Sequence, residues 1–136
     1  CSICRKTAGG GGYAINLGAD YSTLEVSGED KITVFHARIT DDETGKVQDS
    51  PGERRFCSAC GSALWVWDPR WPELVHPFAS AIDTDLPVPP KHTHMMLSSK
   101  PAWVSAPIKD GDKSFDNYPD ESLAEWHRCL GLEDDD

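Results

Sequence analysis

The stretch RRFCSACGSALWVW, residues 54–67, joins a pair of closely spaced cysteines to a strongly hydrophobic run. Cys57 and Cys60 are separated by two residues, and Gly61 follows directly. A CxxC turn can bring two sulfur atoms together while its backbone N–H groups point toward them, which supplies half of the ligands of a zinc ion. The run SALWVW that follows is rich in residues that favour β-strands. The stretch therefore predicts a metal-binding turn that leads directly into a strand.

A second cysteine pair stands at the start of the chain, in CSICRK. Cys1 and Cys4 are followed by two cations, Arg5 and Lys6, and then by the four glycines of residues 9–12. Nearby cations favour thiolates and attract anions such as carboxylates. The glycine run either leaves room for a ligand close to the cysteines or is simply a loop with positive φ values. The two pairs thus differ, and we expect the first to be reactive and the second to be structural.

Spacing alone leaves the use of the cysteines open. Cys1, Cys4, Cys57 and Cys60 could form one four-cysteine zinc site, although the 52 residues between the pairs exceed the gap of an ordinary zinc ribbon. A thioredoxin-like redox pair needs a strand before the motif and a helix after it. Nothing precedes the first pair and glycines follow it, which disfavours redox use. The fifth cysteine, Cys129, is expected to be a packed free thiol.

Composition narrows the class of partner. The 136 residues carry 23 acidic and 13 basic side chains, a net charge of −10, and such a surface repels the phosphates of nucleic acids. The sequence contains no run of about 18 apolar residues, so no membrane span is expected. Paired CxxC units without a secretion signal favour a reducing compartment, so we expect a cytoplasmic protein with a small-molecule partner. The oligomeric state is not predicted.

The local patterns predict a mainly β chain. Strands are expected in the β-branched or alternating segments, namely residues 13–18, 22–28, 31–40, 62–68, 73–83 and 92–97. Residues 41–53 are expected to form a loop or hairpin end, and 86–91 an extended proline-rich segment. A helix is predicted at about 120–130, because Ser122 and Glu125 match a capping box and Gly131 can end the helix. We predict a single zinc-binding domain over residues 1–136, with an acidic tail at 132–136.

Four motifs occur in a characteristic order along the chain. They are CSICRKTAGG from residue 1, RRFCSACGSALW from 54, SAIDTDLPVPPKHTHMMLSSKPAWV from 80 and DGDKSFDNYP from 110. In this order they resemble the glutathione-dependent formaldehyde-activating enzymes, which are grouped with centromere protein V. The resemblance covers roughly residues 1–119.

The resemblance implies a β-tent of small antiparallel sheets around two zinc sites. It assigns Cys57 and Cys60 to a structural site, and Cys1 and Cys4 to a catalytic site with an open position. Three further family cysteines have no counterpart here and would lie upstream of Cys1. We therefore expect that the N-terminal part of the family domain is missing from this chain.

The resemblance also implies a reaction. Family members join formaldehyde and glutathione to S-hydroxymethylglutathione, a carbon–sulfur lyase reaction run in reverse. Arg5 and Lys6 would then hold the carboxylates of glutathione, and Gly9 would open the loop beside them. Two alternatives remain: a non-enzymatic zinc scaffold, and a related enzyme for another thiol or aldehyde. Zinc stoichiometry and a panel of thiols and aldehydes would separate them.

Other side chains are less specific. His92 and His94 share one face of a predicted strand, where they could bind zinc, pack or line a pocket. The resemblance places His94 at the histidine of a family segment without making it a ligand. Three tryptophans are expected to build the core: Trp65, Trp67 and Trp103.

Overall fold

The computed structural model describes residues 1–133, and these divide into two compact units. One unit is Ala14–Asp85, and the other combines Cys1–Tyr13 with the chain from Leu86 onward. The single domain over 1–136 stays a prediction. Most of the predicted acidic tail, residues 134–136, lies outside the described residues.

The Ala14–Asp85 unit is built from seven short strands and three 3₁₀ turns. The strands are β1 (Ala19–Asp20), β2 (Ile32–Phe35), β3 (Arg38–Thr40), β4 (Val47–Asp49), β5 (Glu53–Cys57), β6 (Ala63–Trp67) and β7 (Leu74–Pro77). The 3₁₀ turns are Tyr21–Thr23, Glu29–Lys31 and Ala79–Ala81. Five strands form one antiparallel sheet in the order β1-β7-β6-β5-β2, while β3 and β4 form a separate hairpin.

The β5–β6 hairpin at the centre of the sheet contains a bulge. Arg55 pairs with Trp65, but the next pair is Phe56 with Ala63, so Leu64 is the extra residue on β6. A bulge leaves one residue outside the ladder and fixes the register of the strands around it. The backbone carbonyl of Leu64 is therefore available to a neighbouring segment.

The core of this unit lies beside the bulge. Its buried apolar side chains are Ala37, Val75 and Phe78, and the last two are each only 2% exposed. The N–H of Phe78 donates to the carbonyl of Leu64 at 3.0 Å. The carbonyl of Leu64 and the N–H of Phe78 thus each gain a hydrogen-bond partner, as buried backbone groups require.

Several sequence predictions for this unit are confirmed and others are wrong. The strand after the cysteine pair is β6, and residues 41–53 do form a hairpin end. The predicted strand 31–40 is divided into β2 and β3. Residues 22–28 are not a strand, because the carboxylate and carbonyl of Asp20 accept hydrogen bonds from Ser22 and Thr23 and stabilise a 3₁₀ turn instead.

The other unit has two short helices and a minimal sheet. The helices are α1 (Ser2–Ala8) and α2 (Leu123–Leu130), the strands β8 (Thr93–His94) and β9 (Lys113–Ser114) are parallel, and Leu97–Ser99 is a 3₁₀ turn. The capping box of α2 is present: the Ser122 hydroxyl accepts the N–H of Glu125 at 3.1 Å, and the Glu125 carboxylate accepts the N–H of Ser122 at 2.7 Å. Gly131 ends the helix with φ of 65°. The predicted C-terminal helix is confirmed.

The fold class is confirmed as mainly β, with small antiparallel sheets and a short C-terminal helix. Helix α1 was not predicted. Trp65 and Trp67 are half-buried, but Trp103 is 69% exposed, so its assignment to the core is wrong. Among residues 1–133, no helix is long and apolar enough to cross a membrane.

One glycine of the run 9–12 is fixed by its surroundings. Gly12 is buried, has φ of 102° and donates its N–H to the carbonyl of Gly9 at 2.9 Å. A β-carbon at this position would collide with the side chain of Val104 and lie 2.9 Å from the ring of Trp103. Gly10 is different, because a β-carbon there meets nothing within 4 Å.

Truncation of the most buried aromatic side chain should destabilise the sheet unit strongly. We expect Phe78→Ala to lower the free energy of unfolding by about 3–5 kcal/mol, since it removes buried area and leaves a cavity. The matched control is Phe35→Ala, whose side chain is 45% exposed. Urea unfolding would measure both, and equal losses would contradict the placement of the core.

Substitution within the glycine run should separate its positions. We expect Gly12→Ala to cost at least about 1–3 kcal/mol from backbone strain alone, with the collision added to it. Gly10→Ala should stay within about 0.5 kcal/mol of the wild type. Thermal unfolding of the two variants compares them directly, and a tolerant Gly12 would show that the loop can take another conformation.

Candidate functional site

The second cysteine pair lies at the turn of the β5–β6 hairpin. Cys57 is the last residue of β5, and its N–H donates to the carbonyl of Ser62 at 2.9 Å while its carbonyl accepts the N–H of Gly61 at 2.8 Å. Gly61 has φ of 75°, which lets the chain turn back directly after Cys60. The turn is also attached to the 3₁₀ turn that precedes β2, because the N–H of Ser58 donates to the carbonyl of Lys31.

The thiol of Cys60 is placed to be a good metal ligand. Its sulfur lies 3.1 Å from the hydroxyl oxygen of Ser62. Hydrogen bonds from the Ser62 hydroxyl, from the Ser62 backbone and from the Cys57 thiol lower the pKa of this thiol. Since the thiolate is the form that binds metals, the turn favours the ligating state.

The first cysteine pair lies at the start of α1. Cys1 is the N-cap, and its sulfur accepts the N–H of Cys4 at 3.4 Å. The helical turn thus brings the two residues together and directs a backbone donor at one of the sulfurs. Cys1 is exposed and Cys4 is half-buried, so at least the first thiol is accessible.

The two predicted substrate cations lie in the last turn of α1. Lys6 is exposed, whereas Arg5 is half-buried and its Nε atom is buried without a hydrogen-bond partner. Neither side chain has an acidic partner among residues 1–133. Cations at the C-terminal end of a helix also interact favourably with its dipole, which is an alternative reason for their position.

The glycines after α1 have structural reasons of their own. Gly9 is the C-cap of the helix, and its N–H donates to the carbonyl of Arg5 at 3.1 Å. A β-carbon at Gly9 would lie 2.7 Å from the carbonyl group of Tyr13. A side chain at residue 9 would therefore collide with the chain where it turns back, so glycine is required here. A contact between Gly9 and a substrate stays a prediction.

Zinc fits the donor types of both pairs. Each pair presents two thiols close together, which is half of the tetrahedral set that a structural zinc takes. Among residues 1–133, no group of three or more histidine, cysteine or acidic side chains is arranged to hold a metal. Cys1 and Cys4 belong to one compact unit, and Cys57 and Cys60 belong to the other. Both the single-site and the two-site arrangements stay predictions.

A buried histidine–aspartate pair is the feature that sequence analysis missed. His94 Nε2 lies 3.0 Å from the Asp112 carboxylate, and the side chains are 16% and 2% exposed. The Asp-Gly-Asp turn at 110–112 was noticed only as part of a motif. No local pattern links it to residue 94, because β8 and β9 are joined by a long connection. The neighbouring His92 is exposed, and its ring centroid lies 6.4 Å from that of His94.

Comparison with known proteins places the chain in a family. The family model described as "Glutathione-dependent formaldehyde-activating enzyme" matches residues 1–99. A protein of Halomonas elongata named "Putative glutathione-dependent formaldehyde-activating enzyme" is 62% identical over 134 residues, which cover 98% of this chain and 82% of that protein. No solved structure matches. The chain therefore belongs to the glutathione-dependent formaldehyde-activating enzyme family.

Proposed function

We propose that this chain is an enzyme that adds the thiol of glutathione to formaldehyde, as a zinc-dependent carbon–sulfur lyase working in reverse. The thiol sulfur bonds to the carbonyl carbon and the carbonyl π bond opens. The thiol proton ends on the oxygen, which becomes a hydroxyl group. No oxidant or reductant is consumed. The two substrates supply every atom of the product, and the reaction needs only a group that moves the proton from sulfur to oxygen.

One observation carries this proposal beyond the family name. The adjacent thiols of Cys1 and Cys4 lie on the same short helix as Arg5, whose buried Nε has no hydrogen-bond partner. A buried donor without an acceptor costs free energy, so an incoming carboxylate would relieve that cost. Glutathione carries two carboxylates beside its thiol. The helix therefore offers sulfur ligands and an anion partner within two turns.

The cysteines would divide the work of holding metal. Cys1 and Cys4 would hold a zinc ion, which would either stabilise a substrate thiol as its thiolate or polarise a carbonyl oxygen. Cys57 and Cys60 would hold a second zinc with a structural role, in keeping with their place at the turn of the central hairpin. Arg5 and Lys6 would orient the peptide thiol through its carboxylates.

The cellular setting follows the same chemistry. Metal-binding thiols need a reducing compartment, and we place the protein in the cytoplasm. The net charge of −10 supports a small-molecule partner over nucleic acid.

Loss of a cysteine ligand should remove both zinc and turnover. We expect Cys4→Ser to lower the enzymatic rate by more than the roughly 10- to 100-fold typical of an outer-shell substitution. Cys60→Ser should lower bound zinc as well. The matched control is Cys129→Ser, an exposed thiol on α2. Zinc content and exchange NMR between glutathione and its hydroxymethyl adduct are the two measurements.

The same measurements separate the alternatives. Zinc in the wild type without any rate above the uncatalysed exchange would favour a non-enzymatic scaffold. Turnover of another thiol or aldehyde, but not of glutathione with formaldehyde, would favour a related enzyme. A Cys4→Ser variant that keeps both zinc and rate would remove Cys4 from the site.

The role of Arg5 should appear as substrate affinity. We expect Arg5→Gln to raise KM for glutathione about 10- to 100-fold, the equivalent of losing about 1.5–3 kcal/mol from a charged hydrogen bond. The value of kcat should change little, since the contact is made in both ground and transition states. With 2-mercaptoethanol, which lacks carboxylates, the substitution should have no effect. Arg38→Gln, on an exposed strand, is the control.

A further inference from the structure

Two segments that are distant in sequence are held side by side around β8 and β9. The backbone hydrogen bonds that cross between them include three of 2.8–3.1 Å, in which the N–H groups of Lys113, Phe115 and Met96 donate to the carbonyls of His92, His94 and Asn117, respectively. This ladder places Asp112 directly beside the start of β8. The arrangement is therefore specific, although the two strands are only two residues long.

The Asp112 carboxylate is fixed by its hydrogen bonds. Its Oδ1 accepts the N–H of His92, and its Oδ2 accepts the N–H of Lys109 and contacts His94 Nε2, each at 3.0 Å. With a side chain that is 2% exposed, it has little solvent to compete for these bonds. The carboxylate is thus a rigid support for the His94 ring.

The protonation of this pair follows from those contacts. The N–H groups of Lys109 and His92, and then His94, hold the pKa of the Asp112 carboxyl well below its usual range. A carboxyl with a lowered pKa stays ionised at neutral pH and is protonated only in strong acid. An ionised carboxylate only accepts hydrogen bonds, so His94 Nε2 must carry the proton. In the neutral ring, the lone pair then lies on Nδ1.

The Nδ1 atom of His94 is available to a ligand. Within residues 1–133 it has no hydrogen-bond partner, and the side chain is 16% exposed. Two residues further on, Met96 has φ of 57° and is the one non-glycine residue with positive φ in the described part of the chain. A non-glycine residue keeps such a strained backbone conformation only where the surrounding structure holds it in place. Strained residues of this kind are concentrated at functional sites.

We propose that His94 is the proton-transfer residue of this enzyme and that Asp112 is its positioning residue. The inference rests on the proposed function. The S–H bond of the substrate thiol breaks as Nδ1 takes the proton, and the sulfur bonds to the carbonyl carbon. Nδ1 then returns the proton to the oxygen that becomes the hydroxyl group. The intermediate imidazolium is stabilised by the adjacent carboxylate, as in other carboxylate–histidine pairs.

His94 shares a compact unit and a family match with the residues proposed to hold the substrate. It lies in the same compact unit as Cys1, Cys4 and Arg5, and the family match over residues 1–99 includes all four. Asp112 lies beyond that match. The support for the ring therefore comes from the motif that begins at Asp110, after the residues that the family model matches.

Nitrogen NMR of the wild-type protein tests the pair without any substitution. With ¹⁵N-labelled histidine, we expect a protonated Nε2 and an unprotonated Nδ1 for His94. Addition of glutathione should shift the Nδ1 signal. The opposite tautomer, or an Nδ1 signal that glutathione leaves unchanged, overturns the proposal. An Nδ1 bound to metal would also be unresponsive; a loss of zinc in His94→Gln would identify this case, and it too overturns the proton-transfer role.

Kinetics tests the role in turnover. We expect His94→Gln to lower kcat by about 10²-fold or more while KM for glutathione changes little. His92→Gln is the matched control, because the His92 ring is exposed and makes no hydrogen bond within residues 1–133. Asp112→Asn should lower kcat and also mix the tautomers of His94. If Asp112→Asn destabilises the protein, the nitrogen NMR of the wild-type protein still tests the pair.

The outcomes distinguish the two proposals. If His94→Gln turns over at the wild-type rate, the inference fails and the proposed function stands. If the wild type forms no adduct faster than the uncatalysed reaction, the proposed function fails, and the proton-transfer role fails with it. If the wild type and His92→Gln catalyse the reaction equally well and His94→Gln is slow, the proposed function and the proton-transfer role of His94 are both supported.

Discussion

The hydrogen-bonded closure of the β5–β6 hairpin is the constraint on which the Ala14–Asp85 unit depends. The hydrogen bond from the Cys57 N–H to the Ser62 carbonyl ends the ladder and sets its register. From that register follow the bulge at Leu64 and the carbonyl that accepts Phe78. The outer strands β2 and β7 then pair with a hairpin whose register is already determined. The cysteine turn and the buried core are consequences of the same local geometry.

The other compact unit is held together in a different way. Its two strands have two residues each, so backbone ladders alone stabilise it little. Side chains bonded to backbone groups replace them: Cys1 and Ser122 cap the helices, and Asp112 ties two segments together. Such bonds fix individual side chains firmly where regular structure is scarce. This is how an irregular segment can hold the His94 ring in one orientation.

Local rules predicted the elements whose determinants are local. The capping box at Ser122 and Glu125 predicted α2, although the helix begins at Leu123 and not at about 120, and the apolar run after the cysteine turn predicted β6. Helix α1 escaped prediction because its seven residues lack an apolar repeat, and it begins on a sulfur cap that no propensity scale contains. Residues 22–28 alternate like a strand, but the side chain of Asp20 offered the backbone a competing turn.

The candidate site was predictable only in part. The spacing of Cys1 with Cys4 and of Cys57 with Cys60 identified the paired thiols, because the CxxC turn is itself local. The contact between His94 and Asp112, which are 18 positions apart in the chain, depends on the parallel pairing of β8 with β9, and nothing in either segment encodes that partner. Likewise, no local pattern around Arg5 indicates that its Nε atom is buried.

The bulge at Leu64 has a consequence for the two sulfur atoms of the second cysteine pair. A hairpin that slipped by one residue would lose both the Cys57–Ser62 closure and the partner of Phe78, so intermediate registers are not stable alternatives. The conformational entropy of the turn is therefore lost during folding and not at binding. A species that binds both sulfur atoms would find them already pre-organised. Pre-organisation favours fast binding and slow dissociation.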